Sequence, residues 1–397
     1  VAAFAADLAS LVASANDAMV DLRRDLHRHP ELSCEEHRTT EVVRGRMRAV
    51  GLAERFCPTP TGAVFELEGG LPGPTVLLRA DIDALPVEEA RHAGTMSEVP
   101  GVMHACGHDA HTSALVGAAT VLAARAEDLS GRFVFLFQPA EEGLGGAKAM
   151  LDGGVLDGLE PSAVIGCHVT SLGPVGLVAA RDGVMMADVN SFSVSAHGAG
   201  GHGALAAGGG NVLLAVARAA CDLGLAVDGL SFEGTNCSCT AGVLQSGTAP
   251  NVIPTDAFLR GTLRTFTPEQ SAEAIARLQR ICTEAGEAFS CDVRLDLFEH
   301  APAVVNDPAI AAIVARASRA VLGDAGFVSI PPVTPSDDMS EFLNRIPGCY
   351  FFVGAGLADG SSGPHHSPSF TIDEGCLSVA ASVLAASAVE ITSAPSR

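Results

Sequence analysis

The chain has 397 residues, of which 48% are hydrophobic and 18% charged, too long for one simple core and apolar enough for a sizeable interior. Its formal net charge of −22, from 46 acidic and 24 basic residues, argues against nucleic acid or an anionic membrane surface as partner, because either would repel it. Eleven cysteines, an odd number scattered through a long chain, suit free thiols in a reducing cytoplasm.

The opening run AAFAADLASLVASANDAM carries Asp7 and Asp17 and lacks a positive start, so it is predicted as a helix rather than a secretion signal. Residues 1–50 are predicted helical throughout. After Gly51 come a strand at AVFELEG, a turn at Pro72-Gly73-Pro74, and TVLLRADID, almost wholly apolar before its charges, as a buried parallel strand should be. A helix over about 109–126, the strand RFVFLFQP, a helix near 144–152 and the strand SAVIGCHV continue an alternation that predicts an α/β sheet. The rhythm changes near 184. SFSVSAHG predicts a strand and 208–225 a helix; NCSCTAGVLQSG and PTDAFLRGTLRT predict strands. PEQSAEAIARLQRICTEAGEAF then predicts a long helix started by Pro268 and capped by Thr267, and CDVRLDLFE a last strand. This β-α-β-β-α-β order is that of a ferredoxin-like unit. After about 300 the α/β pattern resumes through FFVGAG and a final helix at 375–391. The expected fold is therefore α/β, a mixed sheet flanked by helices formed by 1–183 and 298–397, with a ferredoxin-like α+β domain inserted at 184–297.

Chemistry-bearing residues gather where predicted strands end, the usual place for sites in α/β proteins. RADIDALP places Asp81 and Asp83 after one strand, FQPAEE places Glu141 and Glu142 after another, and GCHV places His168 at a third. MHACGHDAHT adds His104, Cys106, His108, Asp109 and His111, and GPHHSPSFTIDE adds His365 and His366. Taken singly, each has a bland reading: strand-end carboxylates reach solvent, and cysteine is commonly a small core residue. Cys106-Gly107-His108 pairs a thiolate and an imidazole across a tight turn, a mixture that suits zinc. Adjacent Glu141 and Glu142 cannot both lie on one strand face and are expected to point different ways, one holding metal and the other handling protons. Together the donors exceed the four of a closed structural zinc site, which favours an open or binuclear catalytic one. Cys237 and Cys239 are expected to pack in a core.

HRHPELSCEEHRT, RADIDALP, HACGHDAHT, FQPAEEGLGGAKAM, NVIP, GTLRT and HHSPSFTIDE, in this order from about residue 22 to 385, resemble the M20 family of metallopeptidases and amidohydrolases. The similarity is greatest to its aminoacylase, hippurate-hydrolase and auxin-conjugate-hydrolase branch. The resemblance implies two divalent ions per subunit, of zinc, manganese or cobalt, bound by Cys106, His108, Glu142, His168 and one histidine of the HHSP pair. His366, before Ser-Pro, aligns with the family's ligand, and His365 is the fallback. It implies Glu141 as general base, Asp81 as the carboxylate that orients the metal site, and a non-ligating Arg79. In the insert, AHGAGGHGA implies that His202 steadies the oxyanion in a partner subunit's site, hence a homodimer; Asn251 and Arg264 match substrate-binding positions, Arg264 for the substrate carboxylate. The implied activity is hydrolysis of a small N-acyl amino acid or peptide-like substrate, the larger domain catalysing and the insert dimerising or acting as a lid. A dipeptidase, or a hydrolase removing an amine from an aromatic carboxylate, would use the same site. A non-catalytic metal-binding homologue would not need Glu141. Two departures touch the substrate loops: Ala204-Leu-Ala-Ala-Gly-Gly-Gly210 lacks the family's Pro-His, and Pro335-Ser-Asp-Asp-Met339 replaces its Gly-Ser-Glu-Asp-Phe.

Overall fold

The computed structural model describes residues 2–91, 94–143, 145–205 and 210–393 and divides into two compact units. The first comprises Val1–Gly183, Val305–Ile330 and Asp338–Arg397; the second comprises Val184–Val304 and Pro331–Asp337. A boundary at 297/298 would cut the strand Asp292–Ala301, which pairs along its length with Val189–His197, so the second unit runs on to Val304.

In the first unit, eight strands form a mixed sheet in the order Ala53–Arg55, Ala63–Glu68, Ser130–Gln138, Leu71–Asp81, Ala163–Pro174, Gly348–Gly356, Val178–Ala180 and Phe327–Ser329. The central Leu71–Asp81 runs parallel to both Ser130–Gln138 and Ala163–Pro174, and Gly348–Gly356 is parallel to the latter. Val76, Leu77, Leu78, Phe133, Phe135, Phe137, Val164 and Ile165 are all fully buried, which is why these strands read as continuous apolar runs rather than as alternation. The predicted helix of residues 1–50 is two helices, Ala2–Arg28 and His37–Ala49, because Pro30 cannot continue the first.

The helix His108–Ala123 is buried on nearly every side and packs against Ala2–Arg28 and Gly375–Ser393. Gly375–Ser393 is long and apolar enough to cross a membrane, yet 78% of its apolar window is buried inside the structure, as in the core helix of a globular protein. This is the α/β architecture predicted, with added short strands at Val178–Ala180 and Phe327–Ser329 that lack a strong apolar run of their own.

In the second unit, four antiparallel strands lie in the order Ser238–Ser246, Asp256–Arg264, Val189–His197, Asp292–Ala301. In chain order that is second, third, first, fourth, as a ferredoxin-like unit requires. The helices Val212–Asp222 and Pro268–Phe289 share one core with them, built on Phe192, Val194, Leu259, Leu263, Val216 and Leu278. Thr267 caps the second helix by accepting from the Gln270 amide at 3.3 Å, with Pro268 at its first turn. Residues 208 and 209, at the start of the predicted 208–225 helix, lie outside the described residues, as does Leu144 at the start of the 144–152 helix, which is described from Gly146. Cys237 is buried beside Phe266 and Ala187, a packing role.

Candidate metal centre

Cys106, Gly107 and His108 lead directly into the buried helix His108–Ala123. Gly107 has φ +90°, and a Cβ there would sit 2.5 Å from Val169 Cγ2, so only glycine allows the turn that carries both donors. The helix start is tied down from below: Asp109 accepts from Arg23 Nε and from His27 Nδ1, each at 2.8 Å, and His27 Nε2 meets Glu89 at 3.0 Å. Burial opposes ionisation of Asp109, but Arg23 and His27 hold it well below the usual carboxylate range.

Two groups of donors meet at Cys106. Its Sγ lies 3.4 Å from His168 Nε2 and 3.3 Å from His366 Nε2. Glu142 Oε1 is 3.4 Å from His366 Nε2 and 3.9 Å from His108 Nε2. Cys106, His108 and His168 thus form one triplet, and Cys106, Glu142 and His366 another, each with its donor atoms within 4.8 Å of one another. Ligands about 2.0–2.3 Å from a tetrahedral ion lie roughly 3.3–3.8 Å apart, so these spacings fit direct coordination. Both ring nitrogens of His108 and Oε1 of Glu142 are buried without a hydrogen-bond partner among the described residues, an unusual cost unless a cation supplies the contact. Asp83 Oδ1 lies 3.3 Å from His108 Nδ1, in contact but outside good hydrogen-bond geometry. The donor set fits a divalent ion.

Electrostatics point the same way. Burial lowers the His108 pKa, yet Asp81 and Asp83 outweigh it and hold the imidazole well above its usual range, the mark of a pocket that attracts positive charge. Burial and the neighbouring Glu142 push the Cys106 thiol up, a penalty that a coordinated cation reverses by deprotonating the thiol outright. His168 donates through Nδ1 to the Val169 carbonyl at 2.6 Å, leaving the Nε2 lone pair towards Cys106.

Of the other histidines, His111 is occupied. The Val169 amide, which can only donate, gives its proton to His111 Nε2 at 2.9 Å, so Nδ1 carries the ring proton and donates to Asp81 at 2.5 Å. His104 is fully buried, and burial lowers its pKa to about 4. His365 lies farther from Cys106 than His366, Nδ1 to Sγ 3.9 Å, while its Nε2 accepts from the Ser171 amide. His366 adopts φ +62°, an uncommon conformation for a residue with a side chain, fixed by its amide donating to the Ala105 carbonyl at 2.9 Å. With that bend, His366 Nε2 lies within 3.4 Å of both Cys106 Sγ and Glu142 Oε1.

Glu141 and Glu142 lie beyond the strand Ser130–Gln138, in a turn entered through Ala140 at φ +53°. They do not diverge as residues on a strand would: Glu141 Oε2 and Glu142 Oε1 stand 3.8 and 3.9 Å from the same His108 Nε2. Asp83 holds this turn by accepting the amides of Glu141 at 3.1 Å and Glu142 at 3.0 Å, and it takes a third bond from Ser33 Oγ. Sequence reading placed Asp83 at a strand end without a task; its two backbone bonds supply one. Asp81 is fully buried, bonded to His111 and paired with Arg79 at 2.7 Å. Arg79 does not face the donors but bridges Asp81, Gln138 and Asp338.

In the second unit, Gly201–His202 pairs with Val252–Ile253, which brings exposed His202 beside exposed Asn251, whose carbonyl accepts from Gly203. His202 Nδ1 accepts from the Ala204 amide at 3.1 Å, so its proton lies on Nε2, free to donate outward. Arg264 is half-buried, and its NH1 donates to the Thr334 carbonyl and Ser336 Oγ. Burial lowers its pKa.

Residues 77–390 match the family model described as Peptidase family M20/M25/M40. Thermostable carboxypeptidase 2 of Saccharolobus solfataricus is 35% identical over 376 residues, 92% of this chain and 93% of that protein. N-acetyl-L-cysteine deacetylase of Bacillus subtilis is 36% identical over 356 residues, 90% of this chain and 84% of the other. A solved dinuclear metal-binding peptidase of the M20 family, also from Bacillus subtilis, is similar with a TM-score of 0.81 and 31% identity, over 96% of this chain and 99% of that one.

Proposed function

The chain belongs to peptidase family M20/M25/M40, a family of hydrolases, and from that premise we propose that it frees an amino acid from a small N-acyl conjugate in a metal-dependent amide hydrolysis. The observation that carries this reading is the meeting of two donor triplets at Cys106, one of them including Glu142, with Glu141 Oε2 3.8 Å from His108 Nε2. In it, Cys106, His108, Glu142, His168 and His366 hold two divalent ions, with zinc, manganese and cobalt all compatible with this mixture of donors. When bound, such ions act as Lewis acids and make water acidic enough to attack near neutral pH.

Glu141, buried and held at its amide by Asp83, removes a proton from the attacking water and returns it to the departing nitrogen. Asp81 orients His111, beside His108, through its bonds to His111 and Arg79. His202 donates from Nε2 to the oxyanion, Asn251 contacts substrate beside it, and Arg264, steadied at NH1, offers its remaining N–H groups to the substrate carboxylate.

The reading extends to a homodimer formed through the second unit. Ser238–Ser246 is an edge strand with Val243 and Leu244 exposed, and Leu213 and Leu214 are exposed on the helix that packs on its sheet. An open edge of this kind is usually covered or paired. All eleven cysteines are free, which suits a reducing cytoplasm.

The deciding experiment is a screen of metal-loaded protein against N-acetyl and N-benzoyl amino acids and free dipeptides, read by release of amine. Turnover of the acyl amino acids that stops with chelator is expected. Cleavage of dipeptides alone would move the assignment to a peptidase, a direction the carboxypeptidase relative also points to. Metal-independent or absent turnover would end it.

A second expected result concerns Cys106. With ions bound, its thiolate is engaged, and alkylation should be much slower than after chelation. Peptide mapping that finds equal labelling with and without chelator, in folded protein, would reduce Cys106 to a packing residue.

A further inference from the structure

Glu36 lies in the HRHPELSCEEHRT segment, 104 positions before Ala140 in the chain, and is fully buried. Its carboxylate accepts three hydrogen bonds. Oε1 takes the amides of Cys34 at 2.9 Å and Ala140 at 2.8 Å, and Oε2 takes Thr61 Oγ1 at 2.7 Å. Cys34 and Ala140 both have positive φ, +68° and +53°. Single non-glycine residues rarely adopt that conformation, and it persists only where the surroundings over-determine it. One buried oxygen therefore pins two strained residues.

Each of those residues adjoins a part of the site. Ala140 is the bend immediately before Glu141 and Glu142. Cys34 follows Ser33, whose hydroxyl donates to Asp83 at 2.6 Å, and Asp83 in turn accepts the amides of Glu141 and Glu142. Glu36 and Asp83 together thus accept three successive amides, those of residues 140, 141 and 142. A carboxylate so used holds backbone rather than substrate.

We infer that Glu36 is a positioning residue for hydrolysis, which sets the Ala140 bend and so aims the Glu141 carboxylate. This rests on the proposed role of Glu141 as proton carrier. Displacing a reacting group by about 1 Å can cost on the order of 100-fold in rate, so a lost anchor should be visible in turnover while the ligands stay in place.

Glu36→Gln separates positioning from charge. The amide oxygen can still accept both backbone N–H groups, while the amide nitrogen donates to the Thr61 hydroxyl, which reverses its role. Burial already raises the Glu36 pKa, against the bonds from Thr61 and the backbone, so loss of the negative charge is tolerable there.

The test compares Glu36→Gln, Glu36→Ala and the milder Thr61→Val in metal-loaded protein, with metal content measured alongside. Expected for Glu36→Ala is a fall in kcat of about 10- to 100-fold, KM within about threefold and both ions retained. Amide hydrogen exchange at Ala140–Glu142 should accelerate in the same variant. Glu36→Gln should restore most turnover and the protection of those amides. Thr61→Val, which keeps Glu36 itself, should shift both readouts in the same direction as Glu36→Ala by a smaller amount, and it serves if Glu36→Ala does not fold.

Unchanged kcat and unchanged exchange in Glu36→Ala would overturn the inference, as would a loss of activity that only follows loss of metal. An equal loss in Glu36→Gln would also overturn it, since charge rather than backbone anchoring would then be at work. If wild type turns over no amide in the screen, the proposed function fails; exchange at residues 140–142 still decides whether Glu36 sets the bend.

Discussion

Glu141→Gln is expected to keep both metal ions and lose turnover by a factor of at least about 100. Glutamine has the same shape and leaves the backbone bond to Asp83 untouched, so the turn and the neighbouring Glu142 should stay where they are. What it removes is the group that can take a proton. Glu141 is buried, 6% exposed, with its Oε2 3.8 Å from His108 Nε2, so bulk water is poorly placed to replace it. Metal content and kcat on an N-acyl amino acid should be measured on the same preparation. Normal turnover in a metal-replete variant would remove Glu141 from the proton-carrying role. Turnover lost together with metal would make Glu141 a ligand instead.

His202→Ala is expected to lower turnover by about 100- to 1,000-fold, the usual cost of removing one oxyanion donor, and to be complemented by a second chain. His202 is exposed, and its Nδ1 is committed to the Ala204 amide, so Nε2–H points outward as a donor. In the proposed homodimer that donor serves the partner's site. Mixing His202→Ala chains with Glu141→Gln chains then separates action across the interface from action within one chain. Random reassembly makes half the dimers mixed, and each mixed dimer has one site with an intact Glu141 from the first chain and an intact His202 from the second. Activity should recover to about a quarter of wild type. If His202 acts within its own chain, every site in the mixed dimer lacks one group and nothing is recovered. Absence of recovery, with subunit exchange verified by mass, would rule out action across the interface. A monomer in solution would do the same.

Much of this molecule was legible from sequence because its signals are local. The runs TVLLR and RFVFLF are largely apolar on both faces, as a strand covered on both sides of a sheet requires, and both lie in the interior of the mixed sheet. Thr267-Pro268 marks a helix start by chemistry confined to four residues. Gly107 between Cys106 and His108 is needed for reasons visible in three positions, and the structure adds the Val169 contact that excludes any side chain. Where donors cluster at strand ends, the region of the site follows from the topology of α/β sheets alone.

Local signals were thus enough for the layered architecture, the order of strands in the smaller unit, and the short list of side chains from which a metal site could be drawn. How those side chains stand towards one another is visible only in the folded chain. His366 stands nearer Cys106 than His365 does, 3.3 against 3.9 Å, on a backbone bend held by the carbonyl of Ala105, a distant segment of the chain. The Val169 amide occupies Nε2 of His111, and Asp83 and Glu36 accept the three successive amides of residues 140–142 just beyond the strand end. Propensity and periodicity act over a few residues, whereas the direction of a side chain beyond a strand end is set by hydrogen bonds from distant segments that only folding brings within about 3 Å.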